Sequence, residues 1–258
     1  MKIPATVAAL AAAFLAAGVQ AKIVTKTIAY PYQGMTMKGF LAYDDAVKAP
    51  RPGVLVVHEW WGLDDYIRDR AKQVAQLGYV AFAPDMYGEG KTTRDPNEAG
   101  AWSGEVSKGN QRAPRAKAGL DVLLAQPQVD KSRIGAMGFC FGGGTVLALA
   151  YGGADLRGVV TFHGSLFPPE PGATIKAPIA ILHGEKDPFV KPEAVAQVKE
   201  ALDAAKADWY MVTYAGAVHA FTNPHADDYH IPGIGYNEKA ATRSWQEMKD
   251  FFRAQLGR

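Results

Sequence analysis

The chain has 258 residues, with 28 basic side chains against 26 acidic ones, 48% apolar residues and one cysteine. That composition is ordinary for a globular protein, and the length suits one large domain, so collagen-like, low-complexity and disordered classes are excluded. A single cysteine excludes an intrachain disulfide framework and any Cys-x-x-Cys metal site, and a formal net charge of +2 gives no electrostatic footprint for nucleic acid.

Residues 1–21 read as an export segment. Lys2 is a minimal positive start, an apolar run rich in Ala and Leu extends from Val7 to Val19, and Val19-Gln20-Ala21 supplies the small residues a signal peptidase reads. The run is short for a membrane span, and an uncleaved N-terminal anchor is the alternative. Cleavage predicts a periplasmic or secreted mature domain, residues 22–258, free of the membrane. Its lone thiol, in an oxidising compartment, is then either buried and inert or kept for chemistry.

Beyond that segment short apolar strands alternate with amphipathic helices. Lys22–Tyr30 and Met35–Tyr43 read as strands around a Gly34 turn, and Gly53–Val57 as a strand buried on both faces. Asp65–Leu77 carries Ile67, Ala71, Val74 and Leu77 on one helical face, closed by Gly78. Tyr79–Ala83 is a strand. Residues 88–110 are polar and Gly-rich, a loop with a short helix around Asn97–Val106. Ala113–Leu124 is a helix with Ala116, Leu120, Leu123 and Leu124 inward, Arg133–Met137 a strand and Gly143–Tyr151 a helix of small residues. Gly158–Phe162 and Ile179–Leu182 are strands, Pro192–Ala205 a helix and Trp209–Tyr214 the last strand. Asn237–Leu256 closes the chain as a helix striped by Ala241, Trp245, Met248 and Phe252. This alternation predicts an α/β fold: one domain with a mostly parallel central sheet and helices on both faces. Active groups in such sheets lie beyond the carboxyl ends of strands, which selects the residues to inspect.

Gly138-Phe139-Cys140-Phe141-Gly142 lies between a strand and a helix, with the spacing of the G-x-S-x-G nucleophile turn and Cys in place of Ser. Glycine clears neighbouring strand and helix from a sharp turn. The helix behind it presents free N–H groups and a positive dipole end, which favour thiolate over thiol and aim the Phe141 N–H at a developing oxyanion. The alternative is a structural Cys in a phosphate-binding turn, but the lysine of G-x-x-x-x-G-K-[ST] is missing and the glycines do not fit G-x-G-x-x-G.

A nucleophile needs a base, and the base an orienting carboxylate, in the chain order nucleophile, acid, base for this turn. Asp187 follows the strand Ile179–Leu182, and His219 follows the strand Trp209–Tyr214, so order and position match. Asp187 could instead cap the helix near Pro192, and Glu185 competes for its place. His163 and His183 end apolar strands and read as near-core residues. His225 and His230 lie in a polar loop, and a metal site with His219 is a remote alternative. His58-Glu59-Trp60-Trp61-Gly62 begins like H-E-x-x-H but lacks the second His, so a zincin is excluded.

With these residues in place, the mature chain resembles the dienelactone hydrolase family of α/β-hydrolases. The resemblance rests on His58–Gly62, Pro84-Asp85-Met86-Tyr87-Gly88, the cysteine turn, Gly184–Asp187, Gly216–Phe221 and Gly235-Tyr236-Asn237 leading into a Trp-bearing helix. It implies Cys140 as nucleophile, His219 as base and Asp187 as its holder, with the Trp60 and Phe141 N–H groups as oxyanion donors. It also implies that Glu59 contacts the resting thiol and gates it; the alternative for Glu59 is a salt bridge to Arg68 or another arginine. Trp60, Trp61, Tyr87, Phe141 and Phe221 would line an aromatic pocket or pack the core. One departure stands out: Asn223 occupies the place where dienelactone-cleaving members carry a carboxylate-holding arginine.

The expected function is hydrolysis of a small-molecule ester or lactone through a thioester, with no metal or organic cofactor and no nucleic-acid partner. The competing classes are a non-catalytic, ligand-binding hydrolase fold and a thiol redox protein, the latter without a resolving cysteine in the chain.

Overall fold

The computed structural model describes residues 22–257, so the expected export segment lies outside the described residues. The chain opens with a hairpin of β1 (Ile23–Tyr32) and β2 (Met35–Asp44), antiparallel throughout. Its turn places Gln33 at φ 48° and Gly34 at φ 79°, the two left-handed positions that match the twist of paired strands. β3 (Arg51–Val57) is buried along its whole length because it lies inside the sheet with both faces covered.

Helix α1 (Asp65–Gln76) starts where the Asp64 carboxylate accepts the Ile67 N–H at 3.2 Å, and it buries Ile67, Ala71 and Val74. Gly78 at φ +93° then turns the chain into β4 (Val80–Ala83). Helix α2 (Pro96–Lys108) is longer than its composition predicts: Asp95 caps it, Pro96 sits in its first turn, and only Ala99 and Val106 are buried. A helix with so little apolar stripe leaves almost no periodic signal. Helix α3 (Arg112–Leu124) buries Ala116, Leu120 and Leu123, while Leu124 stays half-buried.

β5 (Val129–Phe139) runs further at both ends than the predicted Arg133–Met137, and helix α4 (Phe141–Tyr151) begins two residues before the predicted Gly143. Strand and helix therefore meet at Cys140. β6 (Gly158–Phe162), β7 (Ile179–Gly184), helix α5 (Pro192–Ala204) and β8 (Trp209–Tyr214) follow. Helix α6 (Glu238–Leu256) is capped by Asn237, which accepts the Ala240 N–H at 3.0 Å, and is ended by Gly257 at φ 74°.

The strands form one eight-stranded sheet in the order β1-β2-β4-β3-β5-β6-β7-β8. β1, β2 and β4 pair antiparallel, and every pairing from β4 through β3 to β8 is parallel. Two apolar layers cover it. Leu55 and Val57 face the layer built with α3, α4 and α5, whereas Val54 and Val56 face the layer built with α1 and α6. This is the two-sided α/β architecture that strand–helix alternation predicts, and it brings the carboxyl ends of β3, β5, β7 and β8 to one edge.

Candidate active site

Cys140 occupies the corner between β5 and α4 at φ 53° and ψ −116°, a conformation that costs an L-residue strain and that its surroundings must hold in place. The glycines explain how. A Cβ on Gly138 would lie 2.1 Å from the Gly142 carbonyl oxygen, and one on Gly142 would lie 2.3 Å from the Val57 oxygen and 2.5 Å from the His58 oxygen. Backbone cannot yield to such contacts, so only glycine lets β3, β5 and α4 approach this closely. The Cys140 carbonyl accepts from Gly143, Gly144 and Ser165, which locks the turn. The cysteine is neither sealed nor fully open.

His219 and Asp187 reach this corner from the ends of β8 and β7. His219 Nδ1 pairs with Asp187 Oδ2 at 2.7 Å, and the Asp187 side chain has no exposed surface. Its other oxygen accepts the Phe189 N–H at 2.9 Å, so the carboxylate is fixed on both sides. Burial alone would push the His219 imidazole down; negative charge on Cys140 and the bond to Asp187 outweigh it and raise it to about 10. Glu185, the competitor for the acid's place, is exposed and accepts the Gly216 N–H at 2.9 Å instead. His163 is buried and pairs through Nε2 with the Thr222 hydroxyl at 2.7 Å, as a near-core histidine should.

Two backbone N–H groups of the segments that meet at this corner are without a protein acceptor among the described residues. Phe141 opens α4, so its N–H has no intrahelical acceptor. The Trp60 N–H, beyond β3, donates to no protein acceptor among the described residues. The Arg112 guanidinium, which sequence reasoning did not assign, donates from Nη1 to the Phe141 carbonyl at 2.6 Å and lies 4.5 Å from the centre of the Phe141 ring.

Glu59 is buried and its Oε2 accepts the Asn223 Nδ2–H at 2.8 Å, while Oε1 has no hydrogen-bond partner among the described residues. No salt bridge joins it to Arg68, whose guanidinium sits over the Phe40 ring, and no hydrogen bond joins it to Cys140. Burial, reinforced by the Asp64 charge, raises the Glu59 carboxyl to about 7 against the pull of Asn223, His219 and Arg70. Asn223, fully buried, thus serves Glu59.

The aromatic residues divide. Trp60 is half-buried, and Phe189, 55% exposed, sets its ring 5.2 Å from that of His219. Tyr87 is buried and its hydroxyl donates to the Trp60 carbonyl at 2.9 Å. Trp61 is buried against Tyr229, rings 4.2 Å apart. Phe221 has no exposed surface and packs on His163 and Tyr214, so it supports the site from the core and offers no face to a ligand. A polar cavity of about 850 Å³ opens nearby, lined by Asp64, Arg68, Arg94, Thr222 and Tyr229 among others; Cys140 and His219 do not line it.

A mostly parallel sheet covered on both faces, with a strained cysteine turn after the central strand β5, defines an α/β-hydrolase. The model of the dienelactone hydrolase family matches residues 37–256, and the chain belongs to that family of hydrolases. Protein usf of Aquifex pyrophilus is 30% identical over 236 residues, covering 89% of this chain and 98% of its own length. A Salmonella typhimurium protein named "Putative carboxymethylenebutenolidase" is 31% identical over 243 residues, covering 88% and 86%. A crystal structure described as a dienelactone hydrolase-like promiscuous phosphotriesterase from metagenomic libraries is 36% identical, with a TM-score of 0.87 over 91% of this chain and 99% of that one.

Proposed function

We propose that this protein is an exported hydrolase of carboxylic esters or lactones that works through a thioester on Cys140, with His219 as its base and Asp187 as the holder of His219. The observation that carries the reading is the strained corner presenting the sulfur to an imidazole raised to about 10 and tied to a sealed carboxylate at 2.7 Å. Such an imidazole stays protonated at neutral pH and can hold negative charge that develops on the sulfur.

The steps start from that proton on His219 and the sulfur as a thiolate nucleophile. The thiolate attacks the acyl carbonyl carbon and the carbonyl electron pair moves to oxygen, where the Trp60 and Phe141 N–H groups receive the charge. Collapse breaks the ester C–O bond, and His219 passes its proton to the leaving alkoxide. A water then gives its proton to His219 as its oxygen adds to the thioester. The second collapse breaks the C–S bond, releasing the acid and restoring the thiolate beside the imidazolium. Glu59 gates the pair: as pH rises through about 7 it gains a negative charge within electrostatic reach of His219, which favours the imidazolium.

Neutral substrates fit better than carboxylate-bearing lactones, because Asn223 is committed to Glu59 and the accessible rings are those of Trp60 and Phe189. The test is a panel of neutral esters, lactones including dienelactone, and a phosphotriester, on wild type and Cys140→Ala. Neutral esters are expected to turn over fastest, the variant to lose activity by roughly 10³-fold or more, and the acyl group to be found by mass on Cys140. Hydrolysis that persists in Cys140→Ala removes the mechanism; dienelactone turnover at the neutral-ester rate removes the reading of Asn223. N-terminal sequencing of the exported protein should begin at Lys22.

A further inference from the structure

His58 follows β3, is fully buried, and has both ring nitrogens engaged. The Met86 N–H donates to Nε2 at 3.2 Å, so Nε2 carries no proton. The proton therefore sits on Nδ1, which donates to the Glu59 carbonyl at 2.5 Å. Burial pushes this imidazole below its ordinary value, against smaller opposing effects of the Glu59 carbonyl and the Asp85 charge, and so keeps it neutral with one donor and one acceptor.

The Glu59 carbonyl and the Trp60 N–H are two ends of one trans peptide, and they point in opposite directions. Whatever holds the oxygen aims the N–H. The other donor to that oxygen, the Gly62 N–H, is long at 3.4 Å. The next peptide is fixed separately, by the Tyr87 hydroxyl on the Trp60 carbonyl. The His58 ring also stacks on that of Phe141, centroids 6.0 Å apart, and meets the Tyr87 ring at 5.0 Å. One imidazole therefore sits between the two segments that carry the oxyanion donors.

We propose that His58 is the positioning residue of the oxyanion hole: its Nδ1–H holds the Glu59–Trp60 peptide in the orientation that aims the Trp60 N–H at the carbonyl oxygen of the acyl group. This rests on the thioester reading above. His58 touches no substrate; it acts by preventing that peptide from rotating. Motif reading of His58-Glu59 looks for a metal ligand and misses it, because the role depends on Met86, far away in the chain.

Three substitutions separate the two hydrogen bonds. His58→Asn keeps an amide donor near the Nδ1 position, His58→Gln keeps an amide near Nε2, and His58→Leu keeps neither. The readouts are kcat and KM on a neutral activated ester, and the rate of Cys140 alkylation by iodoacetamide. Alkylation displaces halide at a saturated carbon and forms no oxyanion. His58→Leu and His58→Gln are expected to lose kcat on the order of 10²-fold, with KM and alkylation within about twofold of wild type. His58→Asn should stay within about tenfold. Wild-type kcat in His58→Gln, equal losses in Asn and Gln, or alkylation falling in step with kcat would each overturn the assignment; should His58→Leu fail to fold, the Asn and Gln pair still decides it. Ester hydrolysis abolished in Cys140→Ala alongside indifferent His58 variants overturns the His58 assignment alone. Hydrolysis retained in Cys140→Ala overturns the thioester reading and this inference with it.

Discussion

At the Cys140 corner the chain is held by what its residues lack, whereas around His219 it is held by what they carry. Gly138 and Gly142 let backbone meet backbone with no room for a methyl group. A few ångströms away, side chains do the holding: Asp187 on His219 at 2.7 Å, Asn223 on Glu59 at 2.8 Å, and the Thr222 hydroxyl shared by His163 at 2.7 Å and Tyr66 at 2.8 Å. The first half is sensitive to volume and indifferent to hydrogen-bond chemistry. The second tolerates a change of shape better than the loss of a charge or a donor. The same site can therefore be damaged by two opposite kinds of substitution, and each kind should leave the other half intact.

The largest effect is expected from a change that alters no shape. Asp187→Asn keeps the side-chain outline but removes the charge; with its amide oxygen held by the Phe189 N–H, it turns an –NH2 donor toward His219 Nδ1 where the tautomer needs an acceptor. A fall in kcat of about 10⁴-fold is expected from the loss of that tautomer. The sign on pH follows from the cause. Asp187 helps raise the imidazole to about 10, so the high-pH limb of kcat/KM, where the imidazolium is lost, moves to lower pH in the variant. Steady-state kinetics across pH 6–11 would show it, and activity within tenfold of wild type would break the contrast between the two halves.

Gly142→Ala is the reciprocal test, a change of volume with no change of chemistry. Its methyl would sit 2.3 Å from the Val57 oxygen and 2.5 Å from the His58 oxygen, so β3 and α4 must separate. A loss of about 3 kcal/mol is expected, read as a lower urea midpoint at unchanged slope. Movement of α4 also carries Phe141 away from the corner.

The difference between the halves is also the difference between what sequence shows and what it hides. Crowding writes glycine at fixed spacing, so the cysteine turn at 138–142 is readable from one chain. Asp187 and His219 are readable because they follow strands whose apolar runs are plain. Asn223 meets Glu59, and His58 meets Met86, only because β3, β4 and β8 finish at one edge, and no local pattern encodes those meetings. Helix α2 shows the same limit within the fold: Gly100, Gly104 and two serines leave it almost without an apolar period, so its full extent from Pro96 to Lys108 was not legible in the sequence. Phe221 shows the reverse limit: of the two readings the sequence left open for it, pocket lining or core packing, the ring takes the second and turns into the core.

Glu59 tests the side-chain half without touching the thiol. Its carboxyl is raised from 4.5 to about 7, so the native state holds its proton more tightly than the unfolded chain does. The stabilisation is full below pH 4.5 and is lost as pH rises through 7, roughly 3 kcal/mol by linkage at most. Glu59→Gln cannot ionise and still offers an oxygen to Asn223. The variant should equal wild type in stability at pH 4 and exceed it by about 2 kcal/mol at pH 8–9, measured by urea titration at each pH. A constant difference across the whole range would mean that packing, not charge, governs this residue.

The smallest effect belongs to a glycine that crowding does not require. Gly104 lies in the middle of α2 at ordinary helical backbone, and a Cβ there would meet nothing within 4 Å. Alanine at this position loses less chain entropy on folding, so Gly104→Ala should stabilise the protein by about 0.5–1 kcal/mol, a rise in Tm of a few degrees, with kcat unchanged. The chemical change is identical to Gly142→Ala, one methyl in each case, and the opposite signs would come only from where the backbone lies. If Gly104→Ala also lowered the urea midpoint, the loss at Gly142 could no longer be credited to the contacts with Val57 and His58, and the account of the Cys140 corner as a volume-limited structure would have to be given up.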